Sequence, residues 1–198
     1  EDIVPDAVKI GMLSSPDCMR AVAGKLAQYK PQHVVIDPVM FAKNGDALMD
    51  PASVGTLIET VLPFADILTP NIPEAQYIAD MQIKTPADME EAARRIYEKG
   101  CRSVLVKGGK NMAGAVDVLY DGKTFRRFEI AQIDTTSTHG TGCTLSSAIA
   151  SNLALGYDIP EAVERAKAYV TDAIRHAPGF GRGCGPLNHF CRLFPEEA

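Results

Sequence analysis

The stretch Thr138-His139-Gly140-Thr141-Gly142-Cys143-Thr144 carries two glycines, two positions apart, and runs straight into an apolar, small-residue segment that ends near Gly156. The glycines permit a tight turn, and the segment predicts a helix whose first amides have no internal partner. Those amides and the helix dipole favour an anion above the helix start, phosphate being the natural one. Many loops enter helices through Gly-x-Gly, so the motif alone leaves a plain structural turn equally open. Cys143 adds a thiol beside the same amides, where loss of its proton is eased and the residue can act as a proton acceptor. The alternative is a small buried hydrophobe.

Three further positions carry suitable chemistry. Asp37 ends the apolar run His33-Val34-Val35-Ile36, where an unpaired carboxylate is costly, so it calls for a cation or hydrogen-bond donors nearby; a helix cap is the other reading. Asn71-x-x-Glu74 sets an amide and a carboxylate one helical turn apart, a spacing that suits a hydrated magnesium ion and equally a capping box. Lys107 closes another apolar run and precedes Gly108-Gly109, a loop that can approach a ligand closely; otherwise it is an ordinary snorkelling lysine. Asp117 is a weaker candidate for the same ligand, and Asp121 reads as a turn residue. His139 and His189 invite a triad with Cys143, but two histidines so placed in sequence define no nucleophile–base geometry.

These residues must be held by something, and the pattern around them supplies it. Ala7–Leu13, His33–Asp37, Asp66–Thr69 and Ser103–Lys107 read as strands, the second of them nearly all apolar, as a strand covered on both faces is. Between them lie helices from Pro16 to Tyr29, from Asp50 as cap with Pro51 first, from Pro73, and from Thr85 as cap with Pro86 behind it. Val116–Tyr120 and Thr124–Ile130, joined by Asp121-Gly122, form a hairpin, and helices over Gly142–Leu155 and Pro160–His176 finish the chain ahead of a glycine-rich tail. The alternation predicts an α/β fold: a mostly parallel sheet, helices on both faces and an edge hairpin. In such sheets functional groups collect beyond the carboxyl ends of the strands, where Asp37, Asn71, Glu74 and Lys107 all fall.

Composition bounds the rest. With 198 residues, 46% hydrophobic and 23% charged, the chain reads as one soluble globular domain. A net charge of −5 without lysine clusters argues against nucleic acid. The absence of a long apolar run or a signal-like start argues against a membrane and for the cytoplasm. Five cysteines, at 18, 101, 143, 184 and 191, form no Cys-x-x-Cys pair and suggest neither a disulfide framework nor a zinc site.

His139-Gly140-Thr141-Gly142-Cys143-Thr144-Leu145-Ser146 closely resembles the anion-hole segment of the hydroxymethylpyrimidine and hydroxymethylpyrimidine-phosphate kinases of thiamine biosynthesis, in the ribokinase-like superfamily. Most ribokinase relatives have an aspartate as base where this subfamily is similar but carries cysteine. Asp37-Pro38-Val39-Met40 with Ala42-Lys43-Asn44-Gly45, Thr69-Pro70-Asn71-Ile72-Pro73-Glu74-Ala75, Lys107-Gly108-Gly109 and the tail Gly183-Cys184-Gly185-Pro186-Leu187-Asn188-His189 resemble further segments of that subfamily. Asn44 stands where serine is frequent, and Leu187 where valine is. The resemblance implies a ribokinase-like three-layer sandwich and ATP-dependent phosphorylation of hydroxymethylpyrimidine and its monophosphate. It implies Asp37 and Glu74 near magnesium; Lys107, Asn71, Lys43 and Thr141 near the phosphates; Gly140, Thr141, Gly142 and Cys143 as the catalytic segment; and Met12, Val39 and Cys143 against the pyrimidine.

The resemblance covers the whole chain but only the later part of the family, whose members begin with a further glycine-rich substrate loop, so the chain is expected to be incomplete at its amino-terminal side. A pyridoxal kinase is the nearest rival, a non-catalytic nucleotide-binding domain another, and a cysteine hydrolase a remote third. The oligomeric state stays open, a homodimer included.

Overall fold

The computed structural model describes residues 2–42, 46–109, 115–129 and 133–193. Strands β1 (Val8–Ile10), β2 (Val34–Ile36), β3 (Ile67–Leu68) and β4 (Val104–Lys107) pair in parallel, and β5 (Asp117–Tyr120) and β6 (Phe125–Phe128) continue the sheet antiparallel. Their order in space is their order in sequence. Helix α1 (Pro16–Tyr29) joins β1 to β2. Helix α2 (Pro51–Thr56), which runs on through a π turn (Leu57–Val61) and a 3-10 turn (Leu62–Phe64), joins β2 to β3, and α3 (Ile72–Ala79) with α4 (Pro86–Tyr97) joins β3 to β4.

A sheet that grows in one direction through right-handed crossovers places all its connecting helices on one face. Accordingly Ile10, Val34, Ile36, Leu68, Val104 and Val106 pack with Met19, Leu26, Leu57, Ile78 and Met89 in one core. Val35, Ile67, Leu105 and Leu119 point the other way, onto α5 (Thr141–Ala154) and α6 (Ile159–Arg175), through Leu145, Ile149, Val163 and Ala166. The sandwich therefore has three layers, as the strand–helix alternation implies.

The helix signals act through identifiable bonds. Ser15 Oγ accepts from the Cys18 amide ahead of Pro16, Thr85 and Asp88 form a reciprocal capping box ahead of α4, and the Asp158 carboxylate accepts from the Glu161 amide. The hairpin turn is held by Asp121, whose carboxylate accepts from the Lys123 and Thr124 amides, the turn role read for it. The strands are shorter than the segments that predict them, Val34–Ile36 within His33–Asp37 and Ile67–Leu68 within Asp66–Thr69. Proline accounts for this in β2 and β3, since Pro38 and Pro70 follow the paired residues and have no N–H with which to extend a ladder. No helix among the described residues is long and apolar enough to cross a membrane.

Candidate active site

Parallel pairing puts the carboxyl ends of β1 to β4 side by side, and each ladder closes on a residue with chemistry. The Asp37 amide donates to Ile10 O (2.9 Å), the Thr69 amide to Ile36 O (2.9 Å) and the Lys107 amide to Pro70 O (2.8 Å). The backbone thus fixes Asp37, Thr69 and Lys107 before any side chain contributes. Their side chains then meet. Asp37 is 2% exposed, and its Oδ1 accepts from Lys107 Nζ at 2.7 Å and from Thr69 Oγ1 at 3.0 Å. Ser146 Oγ, from the second turn of α5, lies 3.5 Å from Asp37 Oδ2. The buried carboxylate has the cation and donors that its place in the sequence demanded.

The start of α5 lies directly over this pair. Gly140 caps the helix with φ at 79° and no side-chain cap bond, leaving the first-turn amides free of a side-chain acceptor. A Cβ on Gly142 would stand 3.3 Å from Lys107 Nζ and 3.9 Å from Asp37 Oδ2, so the glycine backbone, the ammonium and the carboxylate share one small space. The Thr141 hydroxyl donates to Thr138 O at 2.8 Å, which leaves its amide and its lone pairs for a ligand. Cys143 is exposed, which disposes of the buried-hydrophobe reading. The loop ahead of the helix is tied to the tail, where the His139 amide donates to Gly185 O at 3.2 Å. His189 lines the same outer groove of α5 and α6 as Cys143, yet among the described residues no hydrogen bond links either histidine ring to the thiol, and no triad forms.

Asn71 and Glu74 adopt the arrangement that their spacing alone left open. Asn71 Oδ1 accepts from the Glu74 amide at 2.9 Å and Glu74 Oε2 accepts from the Asn71 amide at 2.8 Å, a complete capping box at the start of α3. Glu74 does more than cap. Its Oε1 accepts from the Met40 amide at 3.3 Å, which fastens the segment after Asp37 to α3. Burial lifts the Glu74 carboxyl above its ordinary value, with Lys107 and the two amides opposing the rise and Asp37 adding to it. Among the described residues no three His, Cys, Asp or Glu side chains gather as a metal cluster. Two carboxylates with spare lone pairs nevertheless suit magnesium, which keeps several waters and takes phosphate oxygens as its other ligands.

Met12, 52% exposed, and half-buried Val39 follow the paired ends of β1 and β2 and so flank the same edge of the sheet. Lys43 lies outside the described residues. Asp117 turns inward to an ion pair with Lys167 of α6. Thr69, Ser146 and the Met40 amide were not singled out by the sequence. Ser146 alone left a trace, as a polar residue on the Leu145–Ile149–Leu153 face of α5 that meets the sheet.

A model of the phosphomethylpyrimidine kinase family matches residues 1–188. The chain belongs to that family. It is 44% identical over 196 residues to the hydroxymethylpyrimidine/phosphomethylpyrimidine kinase of Synechococcus elongatus, covering 98% of this chain and 74% of that protein. It is also 50% identical over 189 residues to the thiamine biosynthesis bifunctional protein ThiED of Geobacter sulfurreducens, covering 95% of this chain but only 39% of that longer protein.

Among solved structures, a Clostridium difficile phosphomethylpyrimidine kinase superposes with a TM-score of 0.78 at 43% identity, covering 87% of this chain and 71% of that one. The ADP complex of a Bacillus subtilis pyridoxal kinase gives 0.85 at 38% identity, covering 93% and 69%. As a member of the phosphomethylpyrimidine kinase family the chain is a phosphotransferase by sequence, with the ribokinase-like fold that its motifs imply.

Proposed function

We propose that the chain forms one kinase domain that uses ATP to phosphorylate hydroxymethylpyrimidine and then its monophosphate. The observation that carries this reading is the Asp37–Lys107 pair lying under the glycine-bearing first turn of α5. Phosphoryl transfer asks chiefly for positioning and for neutralisation of charge on the moving group. Lys107 supplies a buried-edge cation, the amides of Gly140 to Cys143 supply donors at the positive end of a helix, and Asp37 and Glu74 stand ready for hydrated magnesium. ATP lies over the loops after Lys107 and Gly140, with Asn71 and Lys43 toward its phosphates and the pyrimidine against Met12 and Val39. Cys143, exposed on the first turn, takes the proton from the alcohol.

A second reading, a pyridoxal kinase, is favoured by the close superposition on pyridoxal kinases, including that of Staphylococcus aureus solved with AMP-PCP and pyridoxal (TM-score 0.87, 33% identity, covering 94% of this chain and 68% of that one). Steady-state assays with the two alcohols and Mg-ATP separate them: the first reading expects the higher kcat/KM for the pyrimidine and transfer to its monophosphate. A chain that binds nucleotide yet consumes no ATP with either alcohol would be a binding domain.

A further inference from the structure

Behind the site lies a buried ion pair that the chemistry above does not use. Asp117 opens β5 directly opposite Lys107 in the antiparallel ladder, and both Asp117 and Lys167 are buried. Lys167 Nζ contacts Asp117 Oδ2 across 50 residues of sequence. The other oxygen, Oδ1, accepts from the Gly108 amide at 3.0 Å, a donor also shared with Val116 O at 3.1 Å. Gly108 follows Lys107, whose own amide is held from the β3 side by Pro70 O. The turn that carries the Lys107 ammonium to Asp37 is therefore clamped from both neighbouring strands.

Replacing a buried ion pair by apolar groups is often neutral or favourable for folding, so stability alone gives little reason for this one. An apolar pair, however, could not accept from Gly108. We infer that Asp117 and Lys167 are positioning residues: Lys167 holds the Asp117 carboxylate in place, and Asp117 sets the Gly108 amide and with it the Lys107 side chain for the phosphates of a nucleotide. This rests on the kinase reading only in taking Lys107 to meet nucleotide.

The test compares two uncharged double variants by titration calorimetry with ADP and by thermal melting. Asp117→Asn with Lys167→Met retains an oxygen for Gly108, whereas Asp117→Leu with Lys167→Met removes it. The first is expected to bind ADP within a factor of about two of wild type and the second about ten-fold more weakly, the worth of one hydrogen bond from a well-placed donor. Melting temperatures of the two should be alike. Hydrogen exchange of the Gly108 amide supplies a second reading: because Val116 O remains as an acceptor in both variants, only the loss of the Asp117 oxygen should make exchange faster in the second double variant than in the first. Equal ADP affinity in the two folded variants, or equal Gly108 exchange in them, overturns the inference. Failure of the unaltered chain to bind ADP would instead overturn the kinase reading.

Discussion

Lys107 Nζ lies 2.7 Å from Asp37 Oδ1 although 70 positions separate the two residues, and both are held from the backbone, the Asp37 amide by Ile10 O and the Lys107 amide by Pro70 O. The side chains are 14% and 3% exposed. Lys107→Met therefore strands a buried carboxylate with Thr69 as its strongest remaining donor. Removing one partner of a buried pair costs about 3–5 kcal/mol, and adding Asp37→Asn should return most of that. Urea melts of the single and double variants measure the stability. Nucleotide binding should be lost in both, since the second change restores folding and not the cation.

The two glycines at the start of α5 should respond in opposite ways. Gly140 has φ at 79° and open space where a methyl group would stand, so Gly140→Ala strains the backbone by about 1–2 kcal/mol without crowding anything. Gly142→Ala sits within the helix, where alanine is favoured by about 1 kcal/mol, yet its methyl would stand 3.3 Å from Lys107 Nζ. The melting temperature should fall for the first and hold or rise for the second. Turnover of Mg-ATP should fall at least ten-fold for Gly142→Ala. Unchanged kcat/KM in that variant would remove phosphate from this space.

Glu74 serves a cap, a loop and the proposed metal at once. In Glu74→Gln the amide NH2 must face one of the two backbone donors that the carboxylate now accepts, so the variant should lose about 1 kcal/mol or more of stability. The apparent affinity for Mg2+ in turnover should fall as well. Because burial raises the carboxyl in the folded chain, the folded state holds its proton at pH values where the unfolded chain has released it. The sign follows: this residue's contribution to stability is greatest below the unfolded value and declines as pH climbs through the folded one. That declining step should be missing from pH-dependent melts of Glu74→Gln.

Cys143 separates the two phosphorylations. An alcohol is a poor nucleophile until its proton is leaving, and a general base is worth about 10²- to 10⁴-fold. The monophosphate attacks through an oxygen already ionised near neutral pH, since its second pKa is about 6. Cys143→Ala should depress the first transfer by one or more orders of magnitude and the second far less, because the backbone amides survive. Equal losses in single-turnover assays on the two substrates would mean that Cys143 serves packing or loop geometry.

Much of this was legible in the chain because local rules produced it. Pro16, Pro51 and Pro86 each open a helix where proline in a first turn is expected, and the apolar triplets before Asp37 and Lys107 are strands covered on both faces. Spacing was ambiguous at Asn71 and Glu74 because the same two atoms that cap a helix can also face an ion, and only coordinates reveal that the cap is complete. The Asp117–Lys167 pair and the Ser146 approach to Asp37 had no signal of that kind, since they join a strand to a helix across 50 and 109 residues. The π turn at Leu57–Val61 also went unread, as hydrophobic period does not distinguish one inserted residue from ordinary helix.

The monotonic strand order has a consequence for synthesis. Every parallel step from β1 to β4 and the hairpin after it can form as soon as its own residues have left the ribosome, with α1 to α4 covering one face as they go. Among the described residues it is α5 and α6 that pack on the other face, so a chain arrested near residue 129 lacks their cover over Val35, Ile67, Leu105 and Leu119. Such an intermediate is a natural client for a holdase chaperone, and carboxy-terminal truncations ahead of α5 should appear in the insoluble fraction while their secondary structure stays largely in place.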